Sequence, residues 1–249
     1  MGRKRAGRAG QAARATAGTE AIEVKVTVVD RHETVALRKF GLERKKGEPR
    51  RIFFYDTHTL SLYKRGVALR AREKGKECDS TVKIRPVEPK RVADKWRKKD
   101  GFKMEADAVG TKVIRSASFT IGQKPREIAQ VASGDRPIVK LFSDEQEEFL
   151  REMAPVKVDF AKLVPLGPVT VVRWKVRHEG LPYELCAEEW RLPDGRDVIE
   201  LSIKARASQA AAAQAALEGF LAELGLARET RQQTKTRTAL EYFAERSRG

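Results

Sequence analysis

Cysteine is nearly absent from this chain of 249 residues: only Cys78 and Cys186 occur, far apart and without a C-x-x-C spacing. That excludes a disulfide framework and a structural zinc site, and it points to a reducing, cytoplasmic setting. Histidine is almost as scarce. His32, His58 and His178 share no spacing with acids, so they read as surface or turn residues rather than metal ligands. No apolar run approaches the ~18 residues of a membrane-spanning helix, so no membrane association is expected. The chain is also short of acid: 35 Asp and Glu stand against 51 Lys and Arg, leaving a net charge of +16. Such a balance implies a polyanionic partner such as a nucleic acid or a phosphorylated metabolite.

What is present suits one folded domain over 20–249, preceded by a basic tail. Residues 1–19 hold Arg3, Lys4, Arg5, Arg8 and Arg14 among Ala and Gly, with no acid and no apolar core of a secretory signal. The tail reads as disordered, with nonspecific nucleic-acid binding as its functional alternative. Only five of the positive charges lie there, so the folded part is itself strongly basic.

From Ala21 to Val28 the chain alternates: Ile22, Val24, Val26 and Val28 on one face, Glu23, Lys25 and Thr27 on the other. Asp30 and Glu33 form a capping box for a helix closed by Gly41, and 43–51 reads as a charged loop. Strands are expected at 51–55, 69–73, 80–85 and 102–109, and near 156–163, 169–177, 183–191 and 197–204. Segment 112–141 reads as one or two strands and a loop. Helices are expected at 57–65, at 143–153 with Ser143 and Gln146 as its capping box, at 208–224, and over roughly 234–245. The basic, proline-bearing run 86–101 reads as an exposed insertion. Of the three tryptophans, Trp96 within that insertion is the candidate for exposure. Without a βαβ rhythm, the pattern is α+β: an antiparallel barrel flanked by helices.

Arg70 and Arg72 share one strand face. Taken alone, that pattern suits a solvated outer face better than the wall of a cavity. Other segments repeat the device with alternating cations and carboxylates, and their apolar faces need the helices as cover. The charged faces are then left for the lumen: Glu23, Lys25, Arg70, Arg72, Lys83, Arg85, Lys103, Glu105, Asp107, Arg173, Lys175, Glu184, Glu188, Glu200 and Lys204. A dry interior could not hold them, whereas a wet tunnel with a multiply charged anion could.

Several of these stretches resemble the signatures of the CYTH domain, the fold of the triphosphate tunnel metalloenzymes. Ala21-Ile-Glu23-Val-Lys25 is similar to that family's first E-x-E-x-K strand. Phe54-Tyr55-Asp56-Thr57 with Leu60, Leu62, Gly66 and Leu69-Arg-Ala-Arg72 resembles its Y-F-D-T…L…G…L-R-x-R pattern. Thr81-Val-Lys83, Glu184-x-x-x-Glu188 and Lys235-Thr-Arg237 resemble its later motifs. The resemblance covers about 21–243 and implies an eight-stranded antiparallel tunnel, Mg²⁺ or Mn²⁺ as cofactor, and a triphosphate-containing small molecule or polyphosphate as ligand. It implies Lys25 as the group that orients an attacking water, and Arg70, Arg72, Lys83, Arg85, Lys103, Arg173, Lys175, Lys204, Lys235 and Arg237 as phosphate-binding cations. Glu23 and Glu200 are the implied metal ligands, with Glu188 in reserve.

The departures fall on acids. Ala21, Val198 and Ser202 stand where the family carries carboxylates, while the cations are nearly all kept. Three functions follow: a metal-dependent triphosphatase, a non-catalytic binder of triphosphate or polyphosphate, and an RNA- or polyanion-associated protein. Adenylate cyclisation is a weaker alternative, because no pattern for recognising a base is visible.

Overall fold

The computed structural model of the chain describes residues 21–28, 33–109, 112–226 and 234–247. The basic tail and Asp30 of the expected capping box lie outside the described residues.

Nine strands, β1 (Ala21–Val28), β2 (Glu48–Asp56), β3 (Val67–Lys74), β4 (Glu77–Ile84), β5 (Phe102–Val109), β6 (Lys112–Gln123), β7 (Val164–His178), β8 (Leu181–Arg191) and β9 (Asp197–Arg206), close into one barrel in the order β1-β5-β6-β4-β3-β2-β7-β8-β9. The expected eight-stranded antiparallel tunnel is corrected on two counts. The described residues form nine strands, and β1 runs parallel to β5 while the other neighbouring pairs are antiparallel. The second correction follows from the first, because a closed ring with an odd number of strands cannot alternate direction all the way round.

The α-helices among the described residues are α1 (Glu33–Lys39), α2 (Ser61–Lys64), α3 (Asp94–Arg97), α4 (Pro125–Ser133), α5 (Asp144–Met153), α6 (Ala210–Glu223) and α7 (Lys235–Arg246). The strand expected at 169–177 lies within the longer β7, whereas 156–163, also expected as a strand, is irregular chain with a 3-10 turn over Phe160–Lys162. Segment 112–141 holds β6 and the helix α4, where only strands and a loop were expected. The expected helix over 57–65 is a turn followed by the single-turn α2, because Asp56 already binds its start. Asp56 Oδ1 accepts from the Thr57 and Leu62 amides at 2.7 and 2.9 Å, and Oδ2 accepts from the Tyr63 amide at 2.8 Å. The Asp of the Phe-Tyr-Asp-Thr stretch is thus a buried cap. Gly66 follows at φ 78°, and a Cβ there would sit 2.0 Å from the Arg85 carbonyl oxygen, so only glycine fits.

Apolar cover lies outside the barrel on two sides. Ile22, Val24, Val26 and Val28 pack with Leu185, Ile199, Leu201 and Ile203 beneath α1 and α6, where Phe40 meets Phe220 with ring centroids 5.8 Å apart. Phe53, Leu69, Val82, Ile84 and Phe119 pack beneath α4 and α5. The capping box of α5 forms as expected, and Gln146 reaches further into the core, donating to the Ser80 and Phe119 carbonyls at 3.1 Å.

The third apolar cluster lies on the inward side. Ile52 and Phe54 stand opposite Arg72 and Arg70 in the register, hence on the lumen face, and pack with Val171, Trp190, Ala239, Leu240 and Tyr242. Helix α7 therefore closes one end of the barrel. His58 Nδ1 and Ser247 Oγ, 2.8 Å apart, tie its far end to the α2 turn.

Trp96 corrects the expectation of exposure. It is 1% exposed, with Phe149 and Phe119 at centroid distances of 5.2 and 5.8 Å, and its Nε1 donates to Glu152 at 2.8 Å. The basic insertion is anchored by this ring, while its lysines pair outward with α5: Lys95 with Glu148 and Glu152, Lys99 with Glu145. Trp96→Ala is expected to lower unfolding stability by about 3–5 kcal/mol, the range for deleting a large buried aromatic. Guanidinium denaturation monitored by circular dichroism would measure it, and a loss under about 1 kcal/mol would contradict the packing described.

Candidate anion-binding tunnel

Register fixes which side chains share the lumen, since directly opposed residues of paired strands lie on one face. Around the ring, Glu23 pairs with Lys204 and Asp107, Lys25 with Ser202, Thr27 with Glu200, Glu200 with Glu188, and Glu188 with Arg173. Arg173 pairs with Glu48, Arg72 with Asp79, Arg70 with Thr81, and Lys83 with Ser118, which faces Lys103. One continuous inner face thus carries the expected cations and carboxylates of all the strands.

Most of these charges meet in pairs. Lys25 Nζ lies 2.9 Å from Asp107 and 3.1 Å from Glu23, and Arg85 lies 3.5 Å from Asp107. Lys83 pairs with Glu105 at 2.9 Å and Arg72 with Asp79 at 2.7 Å. Arg173 approaches Glu188 at 3.5 Å and donates from Nε to Cys186 Sγ at 3.2 Å, and Lys175 pairs with Glu184 at 3.1 Å. From the α7 end, Lys235 reaches in to contact Glu188 and lies 2.8 Å from Glu200. Lys103, Lys175 and Lys204 are exposed residues on this face. Arg237 is separate: exposed on α7, it pairs with Glu241 at 2.7 Å, one helical turn along.

Sequence reasoning missed Glu48, Arg50 and Asp79. Arg50 is buried, 2.6 Å from Glu48 and 3.8 Å from Glu188. Glu48, Arg50 and Ile52 alternate as the start of β2, but Pro49 and the surrounding charges made the stretch look like a loop. Asp79 has the parity of Thr81 and Lys83, and extending that strand backwards finds it.

Arg70 stands apart. It lies on the lumen face with a buried Nε that has no hydrogen-bond partner, and among the described residues no carboxylate lies within 4.0 Å of it. Burial, then the neighbouring Arg72 charge, pulls its pKa down, and Asp79, Glu188 and Glu105 only attract it from further off. A guanidinium does not lose its proton in a protein, so Arg70 stays charged on the inner face with no near counter-charge.

The carboxylates implied as metal ligands are already engaged. Glu23 accepts from Ser202 Oγ at 2.8 Å and is paired with Lys25, while Glu188 and Glu200 share Lys235. Among the described residues, no group of three His, Cys, Asp or Glu side chains is arranged to hold a metal ion. The donor set does not fit Mg²⁺ or Mn²⁺, because ammonium groups fill the positions between the carboxylates.

These pairings shift titrations in a consistent direction. Burial opposes the ionised forms of Glu188, Glu105 and Asp107, but Lys235, Lys83 and Lys25 outweigh it and hold all three carboxyls below their usual range. Burial likewise opposes the charged forms of Lys25 and Lys235, and the carboxylates outweigh it, keeping both ammonium groups charged. A carboxylate with a depressed folded pKa stabilises the fold above its unfolded value, roughly pH 4, and that contribution disappears as pH falls through the folded value. The raised lysines stabilise fully below about pH 10 and lose their effect as pH rises through the folded values. Stability is therefore expected to be flat from about pH 5 to 9 and to fall below about pH 4. Denaturant melts across pH 2.5–7 would check this, and Glu105→Gln should reduce the acid slope. A maximum near pH 3 would contradict it.

No protein-family model and no curated protein matches the chain. Solved structures do. A candidate adenylate cyclase from Bacillus halodurans superposes with a TM-score of 0.59 at 15% identity, over 88% of this chain and 97% of that one. A candidate adenylyl cyclase from Hippeastrum, described as having a dominant triphosphatase activity, gives 0.59 at 18% identity, over 90% and 96%. Nearly the whole length of each chain takes part, and the chain has the CYTH-like tunnel fold.

Proposed function

We propose that the barrel binds the polyphosphate moiety of a triphosphate-containing small molecule, or inorganic polyphosphate, in its lumen. The observation that carries this reading is Arg70, a lumen guanidinium lacking a near counter-charge, beside Arg72 on the inner face that also carries the Lys83–Glu105 and Lys25–Asp107 pairs. A chain of phosphates presents several closely spaced negative oxygens. It would neutralise Arg70 while leaving neighbouring cations room to re-pair. Guanidinium–phosphate contacts are charge-assisted, and at about 4 Å and an effective dielectric near 20 each opposite-charge contact is worth roughly 4 kcal/mol before desolvation.

Hydrolysis of the bound phosphoanhydride with Mg²⁺ or Mn²⁺ is the second reading. Its support is the adjacent Glu188–Glu200 pair near Lys25 and the triphosphatase activity described for the Hippeastrum protein. Against it stand the lysines that occupy those carboxylates. Lys25, held charged by Glu200, Glu23 and Asp107, can donate hydrogen bonds to a phosphate oxygen or a water but cannot take up a proton. RNA binding through residues 1–19 is a separate possibility that the tunnel does not bear on.

Tripolyphosphate at millimolar concentration and low salt is expected to raise the melting temperature, since a ligand of the native state stabilises it by mass action. Arg70→Ala with Arg72→Ala should abolish the shift, and added salt should weaken it. Lys162→Ala should leave it unchanged, because Lys162 is an exposed residue paired with Asp159. No shift in the parent chain would refute the binding reading. Phosphate release that requires Mg²⁺ or Mn²⁺ and is lost in Lys25→Ala would replace it with hydrolysis.

A further inference from the structure

We infer that Lys235 serves as a built-in cation between Glu188 and Glu200, so that the tunnel takes its anion without a divalent metal. This rests on the polyphosphate reading for the anion, but the cation replacement stands on its own geometry. Glu188 and Glu200 are direct cross-strand partners of β8 and β9, both turned into the lumen. Like charges placed so are destabilising unless a cation lies between them. The ammonium of Lys235 fills that place, in contact with Glu188 and 2.8 Å from Glu200 Oε1.

Three features make the ammonium a fixture. Its amine lies 5.3 Å from the centroid of the Trp190 ring, a cation–π contact. Trp190 Nε1 donates to the same Glu188 Oε2 at 3.1 Å, and Arg173 and Arg50 approach Oε1 at 3.5 and 3.8 Å, so both Glu188 oxygens are already occupied. Lys235 also opens α7, whose Thr234 caps the helix and whose apolar face fills the barrel end, so its backbone position is held by packing. A divalent ion binding between Glu188 and Glu200 would have to expel the ammonium and leave a buried, unpaired charge. The same device recurs beside it, with Lys25 between Glu23 and Asp107 and the Ser202 hydroxyl on Glu23.

The test uses Mn²⁺ alone, with no phosphate present, followed by the loss of its free-ion paramagnetic resonance signal. The native chain should take up no stoichiometric Mn²⁺ in the micromolar range. Lys235→Met, which keeps the apolar stem, should expose the two carboxylates and bind Mn²⁺ at least about tenfold more tightly, an effect of ~1.4 kcal/mol. Adding Glu188→Gln and Glu200→Gln to that variant should remove the gain. Stoichiometric uptake by the native chain that disappears in Glu188→Gln would overturn the inference, and that arm needs no Lys235 variant to fold. Equal Mn²⁺ affinity in the native chain and Lys235→Met would overturn it as well. A parallel titration of the native chain with tripolyphosphate in chelator separates the two claims. Exclusion of Mn²⁺ without tripolyphosphate binding would overturn the polyphosphate reading and leave the built-in cation standing.

Discussion

Alternation along the strand is the constraint from which the rest of the molecule follows. Ile22, Val24, Val26 and Val28 of β1, Leu185 and Ala187 of β8, and Ile199, Leu201 and Ile203 of β9 alternate with polar positions and lie beneath the outer helices, so the residues between them must face the lumen. A lumen lined this way cannot be sealed and dry, because each unpaired charge would cost several kcal/mol. The barrel meets that cost by pairing its inner charges between strands, across neighbours in Arg72–Asp79 and Lys25–Asp107 and over the intervening β6 in Lys83–Glu105. The apolar end is met differently: Ile52, Phe54, Val171 and Trp190 turn inward, and α7 covers them.

Pairing is incomplete at Arg70, and there the electrostatics of the fold support the proposed binding of an anion. Its neighbour Arg72 is already committed to Asp79, which leaves Arg70 as a guanidinium on which the largest influence from any other charge is that of a second cation. The carboxylates show the opposite condition. Glu23, Asp107, Glu188 and Glu200 are each held by an ammonium from the protein itself. Cations left short of counter-charge and anions fully supplied with it describe a site for an anion better than a site for a metal.

Much of this was legible in the sequence because strand parity is a two-residue rule that survives without knowledge of the fold. The inner positions of β1, β3, β8 and β9 could be read in that way, as could the outer stripe of Ile22 to Val28. The strand count was not legible, since the closure that brings β1 beside β5 is a long-range event with no local signature. Arg50 was hidden because Pro49 and the charges around it look like a loop until β7 is known to pair with them. Trp96 was misjudged for a related reason: its basic neighbours suggest solvent, and only the approach of Phe119 and Phe149 from distant segments buries it. The occupation of Glu188 and Glu200 by Lys235 depends on where α7 docks, which no spacing within the chain reveals.

The most direct test of this account is a crystal structure of the chain grown with tripolyphosphate and a metal chelator. The account predicts phosphate density inside the barrel against Arg70 and Arg72, with the Lys235 ammonium still between Glu188 and Glu200. Density confined to the outer surface, such as the basic segment 86–101, would contradict it.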